Sequence, residues 1–186
     1  MTTKRNKNSS QNSHKIPAPL ASLPAALLPW YDREKRSLPW RDIVTPYRTW
    51  VSEIMLQQTR VQAVLPYFER FMAAAPDVPA LAELAEDRLL SLWQGLGYYS
   101  RARSLQRSAR VMVDQYGGCL PDTYTDLIQL PGIGDYTAGA ILSIAFGQAI
   151  PAVDGNVLRI AARLTACGDN VLDTRTRQHV RDALAA

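Results

Sequence analysis

Two carboxylates in this chain stand where a carboxylate can do chemistry. Glu53 lies in an apolar stretch, Trp50-Val51-Ser52-Glu53-Ile54-Met55, and Asp154 opens the run Asp154-Gly155-Asn156 just before a helical pattern. A carboxyl among apolar groups becomes a weaker acid and can deliver a proton near neutrality, whereas one held by N–H groups stays ionised. Glycosidic-bond cleavage needs one of each: an acid to activate the departing group and an anion to stabilise an oxocarbenium-like sugar. Each residue also has a plainer reading, Glu53 as a solvated helix residue and Asp154 as an N-cap. The sequence does not say whether the two face each other.

A second signal is the turn Leu130-Pro131-Gly132-Ile133-Gly134. Its glycines permit positive φ and close backbone approach. The helix that begins there points free N–H groups and a positive dipole end outward, a phosphate site that needs no side-chain charge. The plainer reading is an ordinary helix–turn–helix corner. Bulk charge does not decide between them. The chain has 21 basic and 17 acidic residues, but Lys4, Arg5, Lys7 and Lys15 lie in an acid-free tail, which leaves the body balanced at 17 of each. Nucleic-acid binding must therefore rest on how local groups are arranged.

The elements that would position these groups are all helical, with no convincing strand and no internal repeat. A polar tail fills residues 1–16, and a first helix is expected from Pro17 to Arg36. Ser37–Arg41 breaks it. Thr45-Pro46 reads as an N-cap with proline at the first helical position, and Tyr47, Trp50, Val51 and Ile54 follow at helical spacing. Gln57-Gln58-Thr59 interrupts before Val61, Val64, Leu65 and Phe68. Short stripes carry Leu81, Leu84, Leu89, Leu92 and Trp93. Gly95–Tyr99 is a break, and a helix from Ser100 to about Tyr116 ends at Gly117-Gly118. Asp122 or Thr123 caps a short helix through Leu130. Further helices are expected over Asp135–Phe146, Val157–Ala166 and, capped by Asp173, to Ala186.

The chain has 186 residues, 47% of them hydrophobic and 20% charged, which suits one domain with short extensions. No apolar run approaches the roughly 20 residues of a membrane span. The tail lacks the apolar core of a secretory signal and the amphipathic pattern of a transit peptide, so the cytoplasm is expected. Cys119 and Cys167 are too few for a disulfide framework or a four-thiolate metal site.

Taken together, the motifs resemble a known family. The turn Leu130–Gly134 followed by Asp154 resembles the helix–hairpin–helix base-excision DNA glycosylases. The runs Leu38-Pro39-Trp40-Arg41, Glu53-Ile54-Met55-Leu56-Gln57-Gln58-Thr59, Gly95-Leu96-Gly97-Tyr98-Tyr99-Ser100-Arg101-Ala102-Arg103 and Asp154-Gly155-Asn156-Val157-Leu158-Arg159 look like its adenine glycosylase branch. The resemblance spans residues 20–186. It implies an all-α fold: a six-helix barrel module over 37–150, with the helix–hairpin–helix at about 123–147. A second helical module would be built from 17–36 and 151–186.

The resemblance also implies roles. Glu53 would protonate adenine N7 and activate water, and Asp154 would stabilise the sugar cation. Tyr136 and Asn156 would position them. Gln58 and Tyr98, with Thr59 beside them, would enter the duplex to support a flipped adenine. Trp40 and Arg41 would line the adenine pocket, and Gly132 and Gly134 would anchor phosphate. Relatives that cut the strand carry lysine at position 136; Tyr136 cannot form their imine, which implies a monofunctional glycosylase. The implied partner is double-stranded DNA with adenine opposite 8-oxoguanine or guanine, bound by a monomer on the bacterial nucleoid. The family also carries a four-cysteine iron–sulfur motif and a reader of oxidised guanine. This chain has neither, so it reads as a truncated form with no cofactor ligands. Its first-helix face (Leu20, Leu23, Leu27, Leu28, Trp30) is then expected to be partly uncovered and its stability marginal. A thymine-mismatch glycosylase and a non-catalytic DNA-binding remnant are the alternatives.

Overall fold

The computed structural model describes residues 18–185, among which there are eleven helices and no strand. The polar tail read over 1–16 and the expected helix start at Pro17 lie outside the described residues. The helices are α1 (Ala18–Glu34), α2 (Pro39–Asp42), α3 (Pro46–Leu56), α4 (Val61–Ala74), α5 (Val78–Glu83), α6 (Glu86–Trp93), α7 (Ser100–Tyr116), α8 (Tyr124–Leu127), α9 (Asp135–Ala145), α10 (Gly155–Leu164) and α11 (Thr174–Ala185).

Local chemistry sets most of their ends. Thr45 Oγ1 accepts from Arg48 N at 3.1 Å and Pro46 begins the helix, which fixes the start of α3. Asp77 opens α5 in the same way, accepting from Ala80 N at 2.8 Å. Gly117, at φ +62°, closes α7 in the left-handed conformation that glycine adopts without strain. Several expected boundaries move, and the stretch read as a break at Ser37–Arg41 holds the short helix α2. The helix capped by Thr123 stops at Leu127 rather than Leu130, because Leu130 already belongs to the tight turn. Asp154 caps α10, and that helix runs from Gly155 to Leu164 rather than from Val157 to Ala166.

The main core joins α3, α4, α6, α7 and α9 through Trp50, Phe68, Phe71, Trp93, Leu105, Met112, Ile141 and Leu142, all fully buried. Each such side chain contributes about 1.5–3 kcal/mol by leaving water. Helix α3 is central, packed on α4, α7 and α9. A second, smaller core joins Leu20 of α1, Leu158 and Ala161 of α10, and Val180 of α11. Leu20 is thus buried, so the first-helix face is only partly uncovered. Leu27, Leu28 and Trp30 are exposed as expected.

Candidate active site

Helix α3 carries Glu53 on its last turn but one, flanked by the buried Ser52 and Ile54 and itself half-buried. It is not the solvated residue of the plainer reading. Burial pushes its carboxyl above the ordinary range. Hydrogen bonding from Tyr136 and the positive charge of Arg41 pull the other way, and the charge of Asp154 adds to the rise. Burial wins, so this carboxyl holds its proton longer than an exposed glutamate does.

The packing of α3 on α9 brings Tyr136, in the first turn of α9, to Glu53. The phenol's own acidity is suppressed, first by burial, then by the neighbouring Glu53 charge and hydrogen bond and by Asp154. Tyr136 therefore remains a proton-bearing donor beside two carboxylates. Asp154 completes the group from the start of α10. Its Oδ1 accepts from Asn156 N at 2.9 Å and Val157 N at 2.8 Å, and its Oδ2 accepts from Asn156 Nδ2 at 2.8 Å. The N-cap reading and the chemical reading of Asp154 are thus compatible. Asn156 Oδ1 in turn accepts from Arg159, which fixes the amide's orientation.

One glycine governs how closely these parts meet. Gly139, one turn along α9 from Tyr136, lies against the Pro151-Ala152 backbone just before Asp154. A Cβ at Gly139 would stand 2.8 Å from Pro151 O. Only a residue without a side chain lets that backbone cross α9 so closely. A cleft of about 770 Å³ opens beside the group, walled by Tyr136, Asp154, Arg159, Arg177 and Arg181 among others. Glu53 is not part of that wall and connects to it through Tyr136.

The hairpin between α8 and α9 has the anticipated shape. Gly132 sits at φ +81°, and a Cβ there would lie 2.9 Å from Ser104 Cβ. Ser108 Oγ donates to Pro131 O at 2.7 Å, pinning the turn to α7. Gly134 is extended and caps α9, whose first-turn N–H groups have no acceptor within the helix. The sequence reading passed over Asp135, which follows at once. Its carboxylate accepts from Tyr124 Oη at 2.8 Å and Arg181 Nη2 at 2.9 Å, and these bonds lower its pKa.

Gln58 and Tyr98 stand at the tips of two neighbouring loops. Both are exposed, and both hold positive φ, +58° and +50°, which non-glycine residues rarely adopt. Thr59 Oγ1 accepts from Arg101 Nη2 at 3.3 Å. Arg101 was passed over as one residue of a motif, yet its guanidinium binds carbonyls of both loops. Its position was a signal: a cation in the first turn of α7 opposes the helix dipole and implies another partner. Trp40 is corrected. It is 6% exposed and packs edge-on against Phe68 in the core, which leaves little of its surface to face a pocket. Arg41 remains exposed over the Tyr31 ring and close enough to Glu53 to act on it.

Among the described residues no three His, Cys, Asp or Glu side chains gather as a metal would require. Cys119 is exposed beyond α7, and Cys167 is half-buried beyond α10. Two thiols on separate segments do not fit a cluster that takes four thiolates.

The family model for HhH-GPD superfamily base excision DNA repair proteins matches residues 51–185, which include the hairpin, Glu53, Tyr136 and Asp154. The chain belongs to this superfamily. Within the HhH-GPD proteins it is similar to adenine DNA glycosylases. It is 48% identical over 163 residues to that of Mus musculus, covering 83% of this chain and 32% of the relative. It is 46% identical over 172 residues to that of Homo sapiens, covering 88% and 32%, and 44% identical over 138 residues to that of Buchnera aphidicola subsp. Baizongia pistaciae, covering 74% and 39%. The chain thus spans about a third of the length of the mammalian relatives. Its fold matches a thermostable thymine-DNA glycosylase, with TM-score 0.78, 23% identity and coverage of 89% of this chain and 78% of that one. It also matches endonuclease III in a trapped covalent complex with DNA, with TM-score 0.71, 24% identity and coverage of 89% and 73%.

Proposed function

We propose that this chain hydrolyses the N-glycosidic bond of adenine mispaired in double-stranded DNA, opposite 8-oxoguanine or guanine. The reading rests on one observation above all: a desolvated Glu53, whose acidity burial weakens, packed against Tyr136 and within electrostatic reach of Asp154. The high identity to adenine DNA glycosylases selects the base.

The adenine leaves the stack and enters the site. Protonated Glu53 donates to adenine N7, and the C1′–N9 bond breaks with its electrons passing to the base. A general acid of this kind contributes about 10²–10⁴ in rate. The sugar is left cationic at C1′, and the Asp154 carboxylate, held by Asn156, stabilises it. Glu53, now ionised, takes a proton from a water as that water bonds to C1′, which restores the acid. Tyr136 orients the two carboxylates. It offers no amine for an imine at C1′, so the enzyme is monofunctional.

Backbone donors at Gly132 and Gly134 hold the phosphate, and Gln58 and Tyr98, with Thr59 behind them, fill the space the base has left. Arg41 borders the adenine, with Trp40 supporting it from the core. The protein acts as a monomer on bacterial nucleoid DNA in the cytoplasm. The test is to incubate it with duplexes carrying A opposite 8-oxoguanine, A opposite G, and T opposite G, and to identify the freed base chromatographically. Adenine is expected from the first two. Thymine release, or DNA binding with no base released, contradicts the reading.

A further inference from the structure

Among the described residues Arg101 is the most heavily bonded side chain, and neither the chemistry above nor the family match gives it a task. Its Nη1 donates to Ile54 O at 2.9 Å, Met55 O at 3.0 Å and Gln57 O at 2.6 Å. Its Nη2 donates to Leu96 O at 3.2 Å, Gly97 O at 3.1 Å and Thr59 Oγ1 at 3.3 Å. Each nitrogen carries two hydrogens, so these bonds are shared, three-centre contacts. The guanidinium carbon lies 5.5 Å from the centre of the Trp93 ring and 5.6 Å from that of the Tyr98 ring. The cation also sits at the C-terminal end of α3, where a positive charge is favoured and carbonyls lack helical partners.

The two loops it joins are the ones whose tips are strained. Gln58 and Tyr98 both hold left-handed backbone, and Tyr98 leaves 63% of its surface to solvent. A conformation that costs energy persists only when its surroundings over-determine it. Among the described residues no other side chain hydrogen-bonds to both loops. Thr59 Oγ1 donates to Gln57 O within its own loop, and Trp93 Nε1 donates to Gly97 O. Two exposed side chains on strained backbone thus share one half-buried anchor.

We propose that Arg101 is a positioning residue that locks the Gln57–Thr59 loop to the Gly95–Tyr98 loop, so that Gln58 and Tyr98 enter the DNA duplex as a single rigid wedge. The proposal rests on the DNA-directed reading above. Lysine cannot substitute: its ammonium is a point charge without the planar fork that reaches both loops or the face that meets the rings.

A double-substitution cycle tests the lock. Gln58→Ala, Tyr98→Ala and the pair are compared by affinity for a duplex bearing a non-hydrolysable 2′-fluoro adenosine opposite 8-oxoguanine. Residues that act as one unit do not lose affinity independently. The double variant should therefore fall short of the product of the single losses by about three- to tenfold. In the Arg101→Lys background the two losses should multiply. A purely structural arginine would weaken both variants alike and leave their coupling unchanged. Independent losses in the unmodified chain overturn the proposal, and that arm needs no change at Arg101 should Arg101→Lys fail to fold. Unchanged coupling in a folded Arg101→Lys protein overturns it too. Single substitutions with no effect on affinity overturn the wedge and the lock together. Coupling without adenine release by the unmodified chain supports the lock and overturns the catalytic reading alone.

Discussion

Gly139→Ala probes the contact that sets Asp154 against Tyr136 and Glu53. The added Cβ would stand 2.8 Å from Pro151 O and 3.2 Å from Pro151 C and Ala152 Cα, and all three obstacles are backbone. Reaching ordinary contact, which begins at 3.4 Å, means moving the 151–154 stretch or α9 by about 0.6 Å. Overpacking of this kind costs about 1–3 kcal/mol, offset by the roughly 0.5–1 kcal/mol that alanine gains over glycine inside a helix. A net loss of about 1–2 kcal/mol follows. The catalytic effect should be of similar size. A misplacement of 1 Å costs about 10²-fold, so 0.6 Å should slow adenine release by about ten- to twentyfold. The assay is single-turnover release from a mismatched duplex with enzyme in excess, run beside urea unfolding. An unchanged rate would refute the reasoning: the Gly139–Pro151 contact would then not control where Asp154 sits.

Other outcomes follow from the same site. Because burial raises the Glu53 pKa, adenine release should fall as pH rises through that value, on a limb lying above the ordinary glutamate range of about 4.3; a flat profile up to pH 9 contradicts this. Stability carries the matching sign. A raised folded-state pKa gives stabilisation that is complete below the unfolded pKa and lost as pH rises through the folded one. Glu53→Gln cannot ionise, so its urea midpoint should gain on the wild type as pH rises, and the gain should disappear below about pH 4. Tyr136→Lys places an amine beside Glu53 and Asp154, where it should form an imine at C1′. Borohydride should then trap a covalent protein–DNA adduct, and no adduct from a folded variant would mean that position 136 does not face the sugar.

Much of this organisation was legible because short-range chemistry wrote it. Thr45-Pro46, Gly117-Gly118 and Asp154 mark helix ends through caps and backbone conformation that depend on few neighbours. The Leu130–Gly134 turn is local in the same sense. Glu53 stood out because α3 is apolar around it, although only the packing of α3 on α9 supplied Tyr136 as its neighbour. What escaped detection depends on contacts between segments distant in sequence. Gly139 reads as an ordinary small helix residue until the Pro151 carbonyl crosses it. Trp40 sits in a motif that suggests a pocket, and its burial against Phe68 is a tertiary fact. Leu20 is covered by Leu158 and Val180, more than a hundred residues away.

The central claim, that Glu53 is the proton donor for adenine release, meets its most direct test in Glu53→Gln. Glutamine keeps the shape and some hydrogen bonding but cannot act as a carboxylic acid. Binding to the 2′-fluoro adenosine duplex should remain within a few-fold of wild type, while the single-turnover rate of adenine release falls by about 10²–10⁴. A folded variant that binds the duplex and releases adenine at the wild-type rate would contradict the account.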